Sequence, residues 1–283
     1  MKFRIRTLFL FILYLLLGTI LLLIISGGGF GEKESPVIFS EKKVNYIAHR
    51  GALHYFAENS SEGFDYCHDL GFNAIEADIR VTKDNSLIVF HDDSTKRLLG
   101  SDHLISDLDL IDIRSEFLHF NGIKTKNKIL SIDELLEKYQ NQFVLYLDNK
   151  VNKKWVADKL IDHIQKAEAT NTTIIASSNL LFLSYIEFKN ESINTALEGF
   201  DAGKEWIYYF IPRNFKPDFY SSFMSNVDTE HIDFLRRNNI IDQKIVYGTD
   251  SSNVKKVLQS GIRNLIIDFD SSFIDLIKPD SIK

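Results

Sequence analysis

Cysteine is almost missing from this 283-residue chain, which holds only Cys67. One thiol excludes an internal disulfide and any zinc or iron–sulfur centre built on cysteine pairs. Proline is scarce as well, with four residues, and neither a low-complexity tract nor a repeat of solenoid length is present. With 45% hydrophobic and 25% charged residues the composition is globular, not disordered or fibrous. A basic surplus is also lacking. The formal charge is −6, from 33 basic and 39 acidic residues, and setting aside Lys2, Arg4 and Arg6 leaves about −9 for the remainder. Such an acidic body repels phosphate backbones, which excludes general nucleic-acid binding.

Long hydrophobic runs are missing too, with one exception. From Leu8 to Ile25 the chain reads LFLFILYLLLGTILLLII. As a helix this run rises about 27 Å, close to the roughly 30 Å hydrocarbon core of a bilayer. No polar face interrupts it, as a core helix of a soluble protein would require. Lys2, Arg4 and Arg6 precede it, so the positive-inside tendency keeps the N-terminus cytoplasmic and sends the body across. The run exceeds the usual length of a cleaved secretory segment, and Ser26-Gly27-Gly28-Gly29 offers no A-x-A-like cleavage site. The expectation is an uncleaved single-pass anchor with an extracytoplasmic domain, joined through a flexible tether over Gly27–Pro36. Residues 1–31 then form the cytoplasmic stub, anchor and start of the tether, and residues 32–283 the folded domain.

Residues 37–283, 247 in all, approach the roughly 250 of an eight-stranded β/α barrel. Short β-branched or apolar runs predict strands over Val44–Ala48, Asn73–Ile79, Leu87–Phe90, Gln142–Leu147, Thr172–Ala176, Ser192–Leu197, Ile245–Tyr247 and Asn264–Ile267. Amphipathic stretches predict helices over Ser60–Leu70, Ser131–Tyr139, Lys153–Ala169, Leu180–Lys189, Thr229–Asn238 and Ser252–Ser260. This alternation predicts a parallel sheet with crossover helices, an α/β barrel of the TIM type behind one transmembrane helix. The rival, an open doubly wound sheet, would want a glycine-rich phosphate loop after the first strand. Ala48-His49-Arg50-Gly51 stands there instead. The aromatic stretch Gly199–Asn226 shows no clear period. Its rings suit core or lid packing, or a lining for a lipid-derived group.

Polar groups gather at predicted strand ends. His49 and Arg50 end the first strand, on what would be the catalytic face of a barrel. Glu76 and Asp78 sit two residues apart in Ala74-Ile75-Glu76-Ala77-Asp78-Ile79, so both carboxylates leave one side of the strand. Like charges held together call for neutralisation, either by a divalent cation with oxygen ligands or by Arg50, Arg80 or Lys150. His91 and Asp92 end Leu87-Ile88-Val89-Phe90, so His49 and His91 offer a general base and a general acid. Asp148 and Lys150 repeat the two-residue spacing, giving a third carboxylate and a cation for an anionic substrate. Asn59 with Glu62 reads as a helix cap and its partner. Cys67 reads as a small buried residue. His54, His68, His103, His119, His163 and His231 belong to no constellation and read as structural or surface groups.

The series Ile47-Ala48-His49-Arg50-Gly51, Glu58-Asn59-Ser60, Phe64, Gly71, Ile75-Glu76-Ala77-Asp78, Thr82-Lys83-Asp84 and Val89-Phe90-His91-Asp92-Asp93 resembles the glycerophosphodiester phosphodiesterase family, a phospholipase C-like barrel. Ile129–Leu136 and Tyr146–Lys150 extend the likeness, and Ser177-Ser178 and Gly261…Asp268 continue it more faintly. The resemblance implies a phosphoric diester hydrolase that holds one Ca2+ or Mg2+ with Glu76, Asp78 and Asp148. It also implies His49 and His91 as the acid–base pair, or His91 close to the metal instead, Arg50 and Lys150 on the phosphoryl oxygens, and Glu58 behind the site near His49 or the ion. The implied substrate is a small glycerophosphodiester. Alternatives are a lysophospholipid, a glycerol-phosphate polymer, or no turnover at all in a membrane-anchored binding barrel. Three positions depart from the family pattern: Ala57 for proline, Tyr247-Gly248 for tryptophan-threonine, and Asp148 for glutamate. The last shortens the reach of the third carboxylate by about 1.5 Å.

Overall fold

The computed structural model describes residues 2–34, 36, 38–39 and 43–274. The side chains of Lys2, Arg4 and Arg6 fall outside the described set. Helix α1 (Lys2–Ser26) stands apart from the rest. Its span Thr7–Ser26 is long and apolar enough to cross a membrane, and none of it is buried.

Eight parallel strands close into a barrel: β1 (Asn45–Ala48), β2 (Ala74–Val81), β3 (Val144–Asn149), β4 (Thr173–Ser177), β5 (Asn194–Glu198), β6 (Phe219–Phe223), β7 (Lys244–Thr249) and β8 (Asn264–Ile267). Closure is explicit, because β1 pairs with both β8 and β2. Helices α2 (Ser61–Leu70), α3 (Ile132–Tyr139), α4 (Lys154–Lys166), α5 (Leu180–Lys189), α6 (Thr229–Arg237) and α7 (Val254–Gln259) complete the outer layer. Strand alternation divides the core in two. Ile75, Ala77, Ile79, Leu145 and Leu147 face the helices, while Ala74, Tyr146, Ile174, Ala196 and Ile245 fill the barrel.

Two strand expectations change. Leu87–Val89 is no barrel strand but pairs antiparallel with the end of β2. Only Thr82–Ser86 connects them, far too short for a crossover, and Asn85 turns the chain with φ 63°. The eighth barrel strand is β6, inside the stretch that showed no period. Its sequence, Phe-Tyr-Ser-Ser-Phe, buries Ser221 and Ser222, so polarity hid it. Local signals fare better elsewhere. Ser131 caps α3 through a capping box with Glu134. For α2 the cap is Ser60, which accepts from the Gly63 N–H at 3.2 Å, and not Asn59.

The chain after α1 is seated rather than free. Gly27 and Gly29 accept backbone hydrogen bonds from Asn214 and Arg213, each at 2.8 Å. Lys33 reaches Glu187 at 2.6 Å and Asp218 at 2.7 Å. Ile38 and Phe39 pack on the barrel interior, with Phe39 edge-on to Phe219 at 5.6 Å, and so close the N-terminal end of the strands.

Candidate active site

The opposite end of the barrel is open and charged. Register explains why. Asp78 stands directly across from Asp148 and Glu76 across from Tyr146, all on the inward side of adjacent strands. Ligand atoms of Glu76, Asp78 and Asp148 therefore lie within 4.8 Å of one another, and the shorter Asp148 reaches the cluster. Asp78 has the most partners. Its Oδ1 lies 2.9 Å from Lys150 Nζ, and Oδ2 lies 3.1 Å from Arg50 Nε and accepts from Asn59 Nδ2 at 2.9 Å. Burial would raise its pKa, but the charges of Lys150, Arg50 and His91 outweigh that and hold it below the ordinary carboxylate value. Lys150 also pairs with Asp148. Burial opposes its charge, yet the two aspartates keep its pKa raised.

Glu76 is the unbalanced member. Among the described residues, only its Oε2 accepts a hydrogen bond, from the Arg50 N–H at 2.9 Å. Burial, Asp78 and Asp148 push its pKa well up. That of Asp148 also rises through burial, against the pull of Lys150. Arg50 and Lys150 thus supply part of the neutralisation, whereas Arg80 turns away to the His91 carbonyl and Asp93. Three hard oxygen donors with surplus negative charge suit a divalent cation such as Ca2+ or Mg2+.

The Arg50 N–H reaches Glu76 because Arg50 adopts φ 51° and Gly51 φ 78°. Left-handed backbone costs a non-glycine residue roughly 1–2 kcal/mol, a strain typical of functional turns. A Cβ on Gly51 would press to 2.9 Å on the Phe64 ring. His49 continues the β1 ladder, donating its N–H to the Ile267 carbonyl at 3.0 Å. That bond sets the ends of β1 and β8 side by side, and His49 Nδ1 meets Asp268 Oδ1 at 2.5 Å. Nε2 then faces Glu76 Oε2 at 3.9 Å. The imidazole holds the Asp268 carboxyl below its usual range, against burial.

His91 arrives by another route. The Phe90 N–H donates to the Asp78 carbonyl at 2.9 Å, so the antiparallel strand delivers His91 to the same rim. His91 Nδ1 lies 2.8 Å from Asp92 Oδ1. Arg97 clamps Asp92 and also Glu58, whose two oxygens it contacts at 2.7 Å each. Glu58 therefore supports the His91 side, with Arg50 Nη1 at 3.3 Å, rather than His49. The Arg97 hydrogen bonds, helped by His91, pull Asp92 down to about 2.

A cavity of about 280 Å³ joins His49, Arg50, Glu76 and Asp148 to groups not foreseen from sequence: Glu198, Tyr146 and Asp268. Glu198 accepts from the Tyr146 hydroxyl at 3.2 Å, and burial followed by the Asp148 charge raises its pKa to about 8. Alternation along β5 was the signal that would have found it, since Glu198 ends that strand as Asp148 nearly ends β3. Phe223 and Tyr247 form an aromatic lip with ring centroids 5.5 Å apart. Gly248 is obligatory beneath it, because a Cβ there would meet the Phe223 ring at 2.3 Å.

Comparison with known proteins agrees with this geometry. Residues 49–270 match the family described as glycerophosphoryl diester phosphodiesterase. A glycerophosphodiester phosphodiesterase of Bacillus subtilis is 28% identical over 173 residues, 57% of this chain and 57% of that protein. Human lysophospholipase D GDPD1 is 26% identical over 142 residues, 47% of this chain and 45% of the relative. The chain thus spans about half the length of these relatives. Among solved structures, an Oleispira antarctica phosphodiesterase in complex with the product sn-glycerol-3-phosphate superposes with TM-score 0.70 at 16% identity, covering 83% of this chain and 97% of that one. That last likeness shows the barrel. The match from His49 to Asp270, which takes in every carboxylate and imidazole of the mouth, places this chain in the glycerophosphoryl diester phosphodiesterase family.

Proposed function

We propose that the protein hydrolyses a small glycerophosphodiester to glycerol phosphate and an alcohol. What carries the reading is one juxtaposition: three inward carboxylates on paired strands beside an imidazole braced by Asp268, in a chain of this family. The small cavity accommodates a glycerophosphoryl group more readily than an acyl chain, which favours glycerophosphodiesters over lysophospholipids. The complete set of imidazoles, carboxylates and cations argues against an inert binding barrel.

Glu76, Asp78 and Asp148 would hold the cation. When bound, a divalent ion supplies Lewis-acid stabilisation of charge on the phosphoryl oxygens. Arg50 and Lys150 add fixed positive charge at the same place, where negative charge builds as phosphorus is attacked. His49, when neutral, donates its Nδ1–H to the Asp268 carboxylate, which leaves Nε2 free to accept a proton. His49 Nε2 removes it from the attacking oxygen, either water or a hydroxyl beside the ester. That oxygen bonds to phosphorus as the bond to the alcohol oxygen breaks; when the hydroxyl attacks, a cyclic phosphate results, and water then opens it to glycerol phosphate. His91, held by Asp92, returns a proton to the departing alkoxide. The Glu58–Arg97 pair keeps Asp92 ionised for that task. Helix α1 would anchor the domain in a bilayer with the barrel on the extracytoplasmic side.

Phosphorus NMR of glycerophosphocholine incubated with the full-length protein tests the reading. The diester signal should give way to glycerol phosphate with Ca2+ or Mg2+ present and persist after chelation. A diester untouched under every cation tried would reject it.

A further inference from the structure

Away from the mouth, the flank between β5 and β6 carries a surface unusual for a water-facing one. The short helix Trp206–Phe210 buries Tyr208 and turns its other rings outward. Trp206 is 61% exposed, Tyr209 55% and Phe210 72%. These positions are spaced i, i+3 and i+4, so they share one face. On α5, which packs against the following turn Arg213–Phe215, Leu181 is 82% and Phe188 69% exposed, and Phe188 meets the Phe215 ring at 6.4 Å. Patches of this kind mark a partner.

The chain itself indicates which partner. Two residues after Phe210, Pro212 lies against Gly27, where a Cβ would come within 2.4 Å of the Pro212 ring. Backbone hydrogen bonds tie Gly27 and Gly29 to Asn214 and Arg213. The exit of α1 at Ser26 is thereby pinned to the edge of the aromatic face. Helix α1 does not cover that face, since its own apolar side chains are exposed along the span. Tryptophan and tyrosine with an adjacent exposed Arg213 are residues that favour the headgroup boundary of a bilayer.

We infer that Trp206, Tyr209, Phe210, Leu181 and Phe188 form a membrane-docking face, which enters the surface of the bilayer that α1 spans. This rests on reading α1 as an uncleaved anchor. The barrel is then held by its β5–β6 flank, at two points, instead of swinging on one tether. Interfacial elements of this kind sink roughly 5–10 Å into the headgroup and upper acyl region.

The chain has two tryptophans, Trp155 and Trp206, which makes the test direct. Full-length Trp155→Phe protein is reconstituted into phosphatidylcholine–phosphatidylglycerol vesicles with and without lipid labelled by a nitroxide high on the acyl chain. The companion is Trp206→Phe, which reports from Trp155 on α4. Alkaline carbonate extraction of the same vesicles checks the anchor separately. The inference expects resistance to extraction, Trp206 emission reduced roughly twofold or more by the nitroxide, and Trp155 emission little changed. Resistance with unquenched Trp206, whether solvent-exposed or shielded by a second copy, overturns the docking face and leaves the anchor standing. Equal quenching of both tryptophans also overturns the assignment to this flank. Release by carbonate removes the anchor and the inference with it.

Discussion

The two ends of the barrel each bury acidic groups beside a lysine, yet only at one end does every carboxylate oxygen have a partner. At the base, Lys33 joins Glu187 Oε2 and Asp218 Oδ1, while Thr195 donates its hydroxyl to Glu187 Oε1 at 2.5 Å and its N–H to Asp218 Oδ2 at 2.8 Å. All four carboxylate oxygens have a partner. At the mouth, Glu76, Asp78, Asp148, Glu198 and Asp268 share Arg50, Lys150 and His49, and Glu76 accepts a single hydrogen bond. Burial raises Glu187 to about 8 just as it raises Glu198, so a shifted pKa alone does not distinguish structure from chemistry. Unmatched charge facing a cavity does. A closed cluster holds the fold together, whereas an open one is held in place by the fold and keeps acceptor oxygens unpaired.

The sharpest way to break that contrast is to remove one group from each end. His49→Ala should lower turnover about 10²–10⁴-fold, the usual contribution of a general acid or base. Its melting temperature should stay near that of the wild type, because His49 is a rim residue bonded to the half-exposed Asp268. Circular dichroism melts beside the phosphorus assay check both. An unstable His49→Ala protein would mean that the mouth is structural too.

Lys33→Met should do the reverse. It strands Glu187 and Asp218 in a buried site, and breaking such a pair costs about 3 kcal/mol. Urea unfolding should show that loss, with turnover per folded molecule retained. A stable Lys33→Met protein would show that the strap after α1 contributes little.

A smaller effect separates the two sides of the mouth by pH. Asp92, held at about 2 by Arg97, is lowered from its unfolded value. A depressed carboxylate contributes stability above its unfolded pKa, about 3.9, that is lost as pH falls toward the folded value. Arg97→Met removes that contribution, so acid unfolding should begin at higher pH within the window from about 4 to 2. Fluorescence-monitored acid titration measures the shift. An unchanged midpoint would detach Arg97 from the acid stability of the His91 side.

Much of this was legible in the sequence, for local reasons. Strand alternation alone put Glu76 and Asp78 on one side. What stayed hidden depends on contacts between distant segments. Asp268 becomes the partner of His49 only when β8 pairs with β1 and closes the ring. Asn59 caps no helix because Asp78, nineteen residues on, takes its amide. The strand Phe219–Phe223 was obscured because Ser221 and Ser222 spend their hydroxyl groups inside the protein, on Tyr146 and Phe200. Leu87–Val89 misled in the opposite sense: Leu87 and Val89 join the core between strands and helices and Ile88 a smaller cluster with Leu98 and Ile105, while the strand itself pairs antiparallel outside the barrel ring.

The unpaired carboxylate oxygens of the mouth should make the protein's stability depend on divalent cations. Thermal melts of wild type and Glu76→Gln should be recorded in chelator and then with Ca2+ or Mg2+ at about a hundred times the dissociation constant. Saturation at that level corresponds to about 2.7 kcal/mol, so the wild-type midpoint should rise by roughly 5–10 °C and that of Glu76→Gln much less. A wild-type midpoint indifferent to either cation, or an equal rise in both proteins, would contradict a divalent ion held by Glu76, Asp78 and Asp148.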